Sequence, residues 1–239
     1  VPPLASLPWP RSAAPSRFGV AVVPGARVRS GARPARLPIL VGSGQFVRGA
    51  AGAPMTFDNS AFVGRPDGAT GGVYRKMHLV PCGEYVPWQK LLFFAGPLVQ
   101  AVSDFSAGED ATLLPVGDHL VSAAICYEVV YPDLVRRFVA GGSEMLTTIT
   151  NDAWFGPTSA PYQHFEQASM RAIEEGRYLV RSPNAGISGS ADPYGRAIAP
   201  SAPHEPAVIL GGAPSRPTAT DNVRPAASPG THPPRAHRA

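Results

Sequence analysis

Residues 119 to 198 alternate short apolar runs with two helix-like segments, and this alternation restricts the possible folds more than any other feature of the sequence. "HLVSAAICYE" (119–128) reads as one continuous apolar strand. "YPDLVRRFVAGG" (131–142) has Pro in its first turn and Gly-Gly at its end, the punctuation of a helix. "EMLTTITN" (144–151) is strand again. "PYQHFEQASMRAIEEGRYLV" (161–180) opens with Pro, and Phe165, Ser169, Ala172, Gly176 and Leu179 fall on one helical stripe. "GISGSADPYGRAI" (186–198) is a hairpin turning at Asp192-Pro193-Tyr194-Gly195. Further upstream, "FGVAVVP" (18–24) and "LPILVGSGQFV" (37–47) read as strands. "DNSAFVGRPDG" (58–68) is a strand entering a turn, and "GGVYRK" (71–76) returns from it as a hairpin. Such a series predicts α/β layers around a buried sheet.

Three polar clusters close predicted strands. Lys76 ends one, with Glu84 in the Pro-bounded loop that follows; Cys126 ends another, before Tyr127 and Glu128; Asn151-Asp152 ends a third. Strand ends of an α/β sheet converge on one rim, where active sites form. Cys126 reads in two ways. Free cysteine is among the most buried residue types, so it fits a core position. Beside a lysine and a carboxylate it fits a nucleophile, because an ammonium favours the thiolate and can hold an oxyanion. A carboxylate can accept the thiol proton and return it to a leaving group. Asn151-Asp152 reads as loop-shaping, and His164 as a structural hydrogen-bonding residue near a helix start. Trp154 and Phe155 fit either a core or an acyl pocket.

Composition narrows the function classes. Two cysteines and six scattered histidines give neither a disulfide framework nor zinc-ligand spacing, so no structural metal or cofactor is expected. Arg11, Arg17, Arg27, Arg29, Arg33 and Arg36 form an acid-free basic stretch. It lacks the aromatic interleaving of single-strand binders, so no nucleic-acid partner is expected. The longest apolar run, "LLFFAGPLVQAV" (Leu91 to Val102), is shorter than the roughly 20 residues of a membrane span. It reads as an apolar rim or arm over the site, or as a core helix. Val1-Pro2-Pro3 does not look like a chain start, which suggests a fragment or a trimmed domain. With 28 prolines and 25 glycines, and few large apolar residues beyond about Pro214, the last segment reads as disordered. The expected division is a catalytic domain over 1–200 and a Pro/Arg-rich tail over 201–239.

The motifs "YRKMHLVPCGEYVP", "ICYEVVYPDLVRR", "NDAWFGPTSAPYQHFEQASMRAIEEGRYLVRSPNAGIS" and "DPYGR" together resemble the nitrilase-type domain of the apolipoprotein N-acyltransferase family. The resemblance covers about residues 37 to 200. Its Lys and Cys motifs are shared by the wider carbon–nitrogen hydrolase superfamily. It implies a four-layer αββα sandwich, partly truncated at the N-terminus, with a Glu–Lys–Cys triad. The nucleophile would be Cys126, the lysine Lys76 and the supporting loop carboxylate Glu84. The Tyr127 N–H would help form the oxyanion hole beside Glu128. The implied reaction is ping-pong. Cys126 takes a fatty acyl chain from a phospholipid as a thioester, and the N-terminal amine of a lipoprotein's diacylglyceryl-cysteine accepts it. The implied setting is the bacterial inner membrane, on its extracytoplasmic side, with a transmembrane part not present in this chain.

Two substitutions depart from the family. Cys82 stands where Phe is usual and reads as a packing replacement. Arg11, in "LPWPRSAAP" (7–15), stands where the resemblance puts the first catalytic Glu. Arginine cannot accept a proton in a protein. Three readings therefore stay open: an N-acyltransferase domain, a nitrilase-type amidase, and a catalytically dead remnant.

Overall fold

A computed structural model describes residues 37–47, 56–85, 87, 105–205, 207, 209 and 213. The stretches around Arg11, 18–24 and Leu91–Val102, and all of the segment from Pro214 onward, lie outside the described residues.

Three antiparallel strands form the first sheet: β1 (Ile39–Val47), β2 (Thr56–Gly64) and β3 (Thr70–Arg75). β1 lies against β2 with Ser43 opposite Ser60, and β2 against β3 with Ala61 opposite Tyr74. The β2–β3 turn is Arg65-Pro66-Asp67-Gly68. Its Gly68 has φ +85°, and its N–H donates to the Arg65 carbonyl at 2.9 Å. Gly suits this place because left-handed backbone costs it no Cβ clash. A two-stranded hairpin follows, β4 (Leu114–Val116) with β5 (His119–Val121).

The second sheet holds β6 (Ala124–Ile125), β7 (Leu146–Thr150), β8 (Leu179–Pro183), β9 (Gly189–Ala191) and β10 (Ala197–Ile198), in the order β10-β9-β8-β7-β6. β6, β7 and β8 are parallel, and helices make the crossovers: α1 (Pro132–Ala140) and α2 (Ala160–Glu175). β7 is buried along its whole length, as expected of a central parallel strand covered on both faces. Proline lies in the first turn of each helix. α2 stops at Gly176, a left-handed cap with φ +59°.

The core has two parts. Between the sheets lie Leu40, Ala61, Val63, Tyr74, Ile125 and Ile149, among others. The sheets approach closely where Gly42 leaves room for Ile149; an added Cβ there would be 2.6 Å from Ile149 Cδ1. On the other face of the second sheet, Val135 and Val139 of α1 meet Ala168 and Ala172 of α2 over Leu146 and Leu179. The described residues thus supply two sheets and one helical layer of an α/β sandwich. No described helix is long and apolar enough to cross a membrane.

Two expectations need correction. The run 119–128 is not one strand. β5 pairs in the small hairpin, the chain steps across at Ser122-Ala123, and β6 joins the large sheet. The residues from Cys126 to Val130 then form a 3-10 turn. The helix expected over 161–180 ends at Glu175, and Leu179 belongs to β8.

Candidate active site

β3 delivers Lys76 just past its last residue. The side chain is only 1% exposed, and its Nζ is 2.6 Å from Glu84 Oε2. Strand β2 fixes both partners. The Asn59 carbonyl accepts from the Lys76 N–H at 2.8 Å, and Asn59 Nδ2 donates to Glu84 Oε1 at 2.9 Å. The Val80 N–H adds a second donor to Glu84 Oε2 at 2.8 Å. A tight turn supports the loop, with Glu84 N donating to the Val80 carbonyl and Cys82 N to that of Tyr85. A buried ammonium needs such a partner, because an unpaired charge there costs several kcal/mol.

Cys126 follows β6 and opens the 3-10 turn with φ +56°. A non-glycine residue in this region carries strain of about 1–3 kcal/mol, of the kind that clusters at functional sites. It is partly buried and has a free thiol. Glu128, fully buried two residues on, ties this turn to the Lys76 segment. Its Oε2 accepts from Ile125 N at 2.8 Å. Its Oε1 accepts from Tyr74 Oη at 2.8 Å, Met77 N at 2.8 Å and His78 N at 3.0 Å. Burial pushes the Glu128 carboxyl above its ordinary range, and its hydrogen bonds oppose that. Burial, then the neighbouring Glu128 charge, pushes the Tyr74 hydroxyl up as well, so it stays a neutral donor.

The structure brings Lys76 and Glu84 into direct contact, and Glu128 links the segment after Lys76 to Ile125, the residue before Cys126. Tyr127 is 39% exposed, and its ring meets Tyr131 edge-on with centroids 5.8 Å apart. Trp154 is 80% exposed, so it is not a core residue. Cys82 is exposed and lies at φ +60° in the turn, so it is not a packing replacement. Arg11 lies outside the described residues.

A second polar cluster joins Asp152 and His164, which the sequence marked only as loop-shaping and as a structural hydrogen-bonding residue, to Arg181, which it did not mark. β6 and β7 are parallel neighbours, so Cys126 and Asp152 leave adjacent strand ends. Arg181 Nη2 donates to Asp152 Oδ2 at 2.6 Å, and Thr150 Oγ1 to Asp152 Oδ1 at 3.0 Å. His164 Nδ1 is 3.1 Å from both Asp152 Oδ1 and Arg181 Nη2, and its Nε2 is 3.3 Å from the Cys126 carbonyl. All three charged or titratable side chains are buried. Burial alone would raise the Asp152 carboxyl; His164 and the Arg181 guanidinium outweigh it and hold the group below the carboxylate range. The available signal was Arg181 itself, a charge inside the apolar run "LVRSP", which needs a buried partner.

The comparisons with known proteins agree with this architecture. Residues 2–213 match the family described as Carbon-nitrogen hydrolase. Two relatives are named apolipoprotein N-acyltransferase. One, from Geobacter metallireducens, is 42% identical over 189 residues, covering 79% of this chain and 36% of the relative. The other, from Azotobacter vinelandii, is 38% identical over 194 residues, with the same two coverages. The chain therefore spans about a third of the length of these relatives. The crystal structure of an amidase from Nesterenkonia sp. shares the fold, with TM-score 0.54 and 21% identity over 76% of this chain and 63% of that one. The two stacked sheets, the lysine at one strand end, the cysteine at another and a sequence match over most of the length lead to one assignment: the chain belongs to the carbon–nitrogen hydrolase family.

Proposed function

We propose that this chain is the acyl-transferring domain of an apolipoprotein N-acyltransferase, with Cys126 as nucleophile, Lys76 as oxyanion-holding cation and Glu84 as supporting carboxylate. The observation that carries the reading is the buried Lys76–Glu84 pair, with Glu128 tying the residue after Lys76 to the residue before a cysteine in left-handed backbone. The names of the 38–44% identical relatives support the choice of reaction over amide hydrolysis.

In the first half-reaction, the Cys126 thiolate attacks the ester carbonyl of a phospholipid acyl chain. The oxyanion forms beside the Lys76 ammonium and the Tyr127 N–H. Its collapse expels a lysophospholipid alkoxide, which takes a proton from solvent, leaving a thioester on Cys126. In the second, the N-terminal amine of a lipoprotein's diacylglyceryl-cysteine attacks the thioester. The amine gives a proton to solvent, the Cys126 thiolate departs, and an amide is formed. This reading also assigns 1–200 to the catalytic domain, 201–239 to a tail, and the working location to the extracytoplasmic face of the bacterial inner membrane.

Arg11 takes the place of a proton-accepting Glu in this scheme. Restoring Arg11→Glu is expected to speed thioester formation by roughly 10²- to 10⁴-fold, the usual contribution of a general base. The test is intact-mass detection of an acyl adduct after incubation with phospholipid vesicles, with Cys126→Ala as control. An adduct that survives Cys126→Ala overturns the nucleophile. A chain that gives no adduct with or without Arg11→Glu is a catalytically dead domain.

A further inference from the structure

We propose that His164 is a positioning residue that sets the oxyanion hole by holding the carbonyl of Cys126, and that Asp152 and Arg181 hold His164 in the tautomer that does so. The inference rests on the reading of Cys126 as nucleophile and concerns how its backbone is aimed.

His164 is buried, and its two nitrogens face different partners. Nε2 faces the Cys126 carbonyl at 3.3 Å, which only accepts, so Nε2 must carry the proton. Nδ1 faces Arg181 Nη2 at 3.1 Å, which only donates, so in the neutral ring Nδ1 accepts. Nδ1 is equally close to Asp152 Oδ1, at 3.1 Å, and donates there when it carries a proton, so Nε2 is protonated whichever of the two Nδ1 meets. In either form Nε2 donates to the Cys126 carbonyl, and two buried Arg181 nitrogens, Nε and Nη1, keep no partner among the described residues. The Asp152 carboxylate occupies the space beside Gly186, which an added Cβ would fill, so the local backbone is built around it.

The consequence lies one bond away. The Cys126–Tyr127 peptide is planar and trans, so its N–H points opposite to its C=O. Holding the carbonyl on the His164 side aims the Tyr127 N–H to the other side. As the second residue of the 3-10 turn, Tyr127 has no intrahelical acceptor for that N–H. Among the described residues nothing else accepts from it, so it can meet an oxyanion. The same hydrogen bond helps hold Cys126 in its left-handed conformation.

The test separates acylation from simple thiol reactivity. Acylation by p-nitrophenyl butyrate passes through an oxyanion, whereas alkylation by iodoacetamide does not. His164→Gln places an amide nitrogen near the Nε2 position, and His164→Asn places one near Nδ1 only. The series is built in the chain as it stands and with Arg11→Glu beside it. His164→Asn and His164→Leu are expected to slow the acylation burst about 10²-fold, as loss of an oxyanion donor does. Alkylation of Cys126 should change by less than about threefold, because no oxyanion donor enters that step. His164→Gln should recover most of the burst. The inference is overturned if His164→Asn acylates at the unsubstituted rate, if Gln does no better than Asn, or if acylation and alkylation fall together. A Cys126 that neither acylates nor alkylates in the unsubstituted chain overturns the nucleophile assignment itself.

Discussion

Glu84 and Glu128 are two carboxylates of one site with opposite assignments. Glu128 is fully buried and collects four donors, three of them backbone N–H groups from two segments. Its capacity is used up in joining the Cys126 turn to the end of β3. Glu84 has a 13% exposed side chain on a loop, and one of its oxygens sits on the Lys76 ammonium. One carboxylate spends its hydrogen bonds on geometry; the other is kept near a charge that chemistry can use. On the proposed reading, burial with complete satisfaction fits a structural carboxylate, and partial access beside a cation fits one that supports the chemistry.

Glu128→Ala offers the largest effect. It strands one buried and two partly buried backbone N–H groups and the buried Tyr74 hydroxyl. Each orphaned group costs about 1–3 kcal/mol, so a total loss of about 3–5 kcal/mol is expected after relaxation. Urea denaturation should show it as a lower midpoint. A loss below about 1 kcal/mol would mean that Glu128 is not the clamp described, since surface-like substitutions give that much. Glu84→Gln should act on chemistry as well as on stability. Gln can still accept from Asn59 or Val80, but it leaves the buried Lys76 ammonium without its counter-charge, so a loss of about 3 kcal/mol is expected. Thioester formation should fall by roughly 10²- to 10⁴-fold if the carboxylate moves protons. Thioester formation unchanged in Glu84→Gln would erase the contrast.

Local signals made part of this legible in advance. The β2–β3 hairpin and α1 were readable because Pro, Asp and Gly punctuate them in sequence. Gly176 was the missed stop for α2; its left-handed cap was hidden by the apolar "RYLV" that follows, which is the start of β8. The break at Ser122-Ala123 carries no breaker residue. It exists because β4 claims β5 while β7 claims β6, a tertiary choice. Lys76, Glu84 and Cys126 stood out because they close predicted strands, and a family resemblance implied their roles. The contacts of Asn59 and of the Asp152–His164–Arg181 cluster did not, because their partners lie 12 to 38 residues away and meet only through strand pairing.

The Asp152 cluster extends the comparison to pH. Its carboxyl is held below the ordinary range in the folded chain. A depressed carboxylate contributes fully above its unfolded value, about pH 3.9, and the contribution is lost as pH falls toward the folded value. Glu128, displaced upward, has the opposite sign: its contribution grows as pH falls and is lost as pH rises from its unfolded value. Asp152→Asn should therefore flatten the acid limb of the stability profile, read as melting temperature from pH 6 to about pH 3. An unchanged acid limb would mean that the Arg181 pairing does not depress Asp152.

Asn59→Ala is the smallest expected effect and the finest test of how Glu84 is held. Asn59 Nδ2 supplies one of three donors to that carboxylate, while its backbone carbonyl, which the substitution keeps, receives the Lys76 N–H. Losing one partly exposed hydrogen bond to a charged acceptor should cost about 1 kcal/mol of stability. The remaining donors, Lys76 Nζ and Val80 N, both hold Oε2, so the carboxylate would still meet the ammonium but could rotate about that oxygen. Thioester formation should then slow by about tenfold or less, which corresponds to about 1.4 kcal/mol in the barrier. The effect should vanish in a Glu84→Ala background, where Asn59 has no carboxylate to orient. If Asn59→Ala slows the reaction as much with Glu84 absent as with it present, Asn59 acts on something other than Glu84. The loop carboxylate would then be held by Lys76 and Val80 alone.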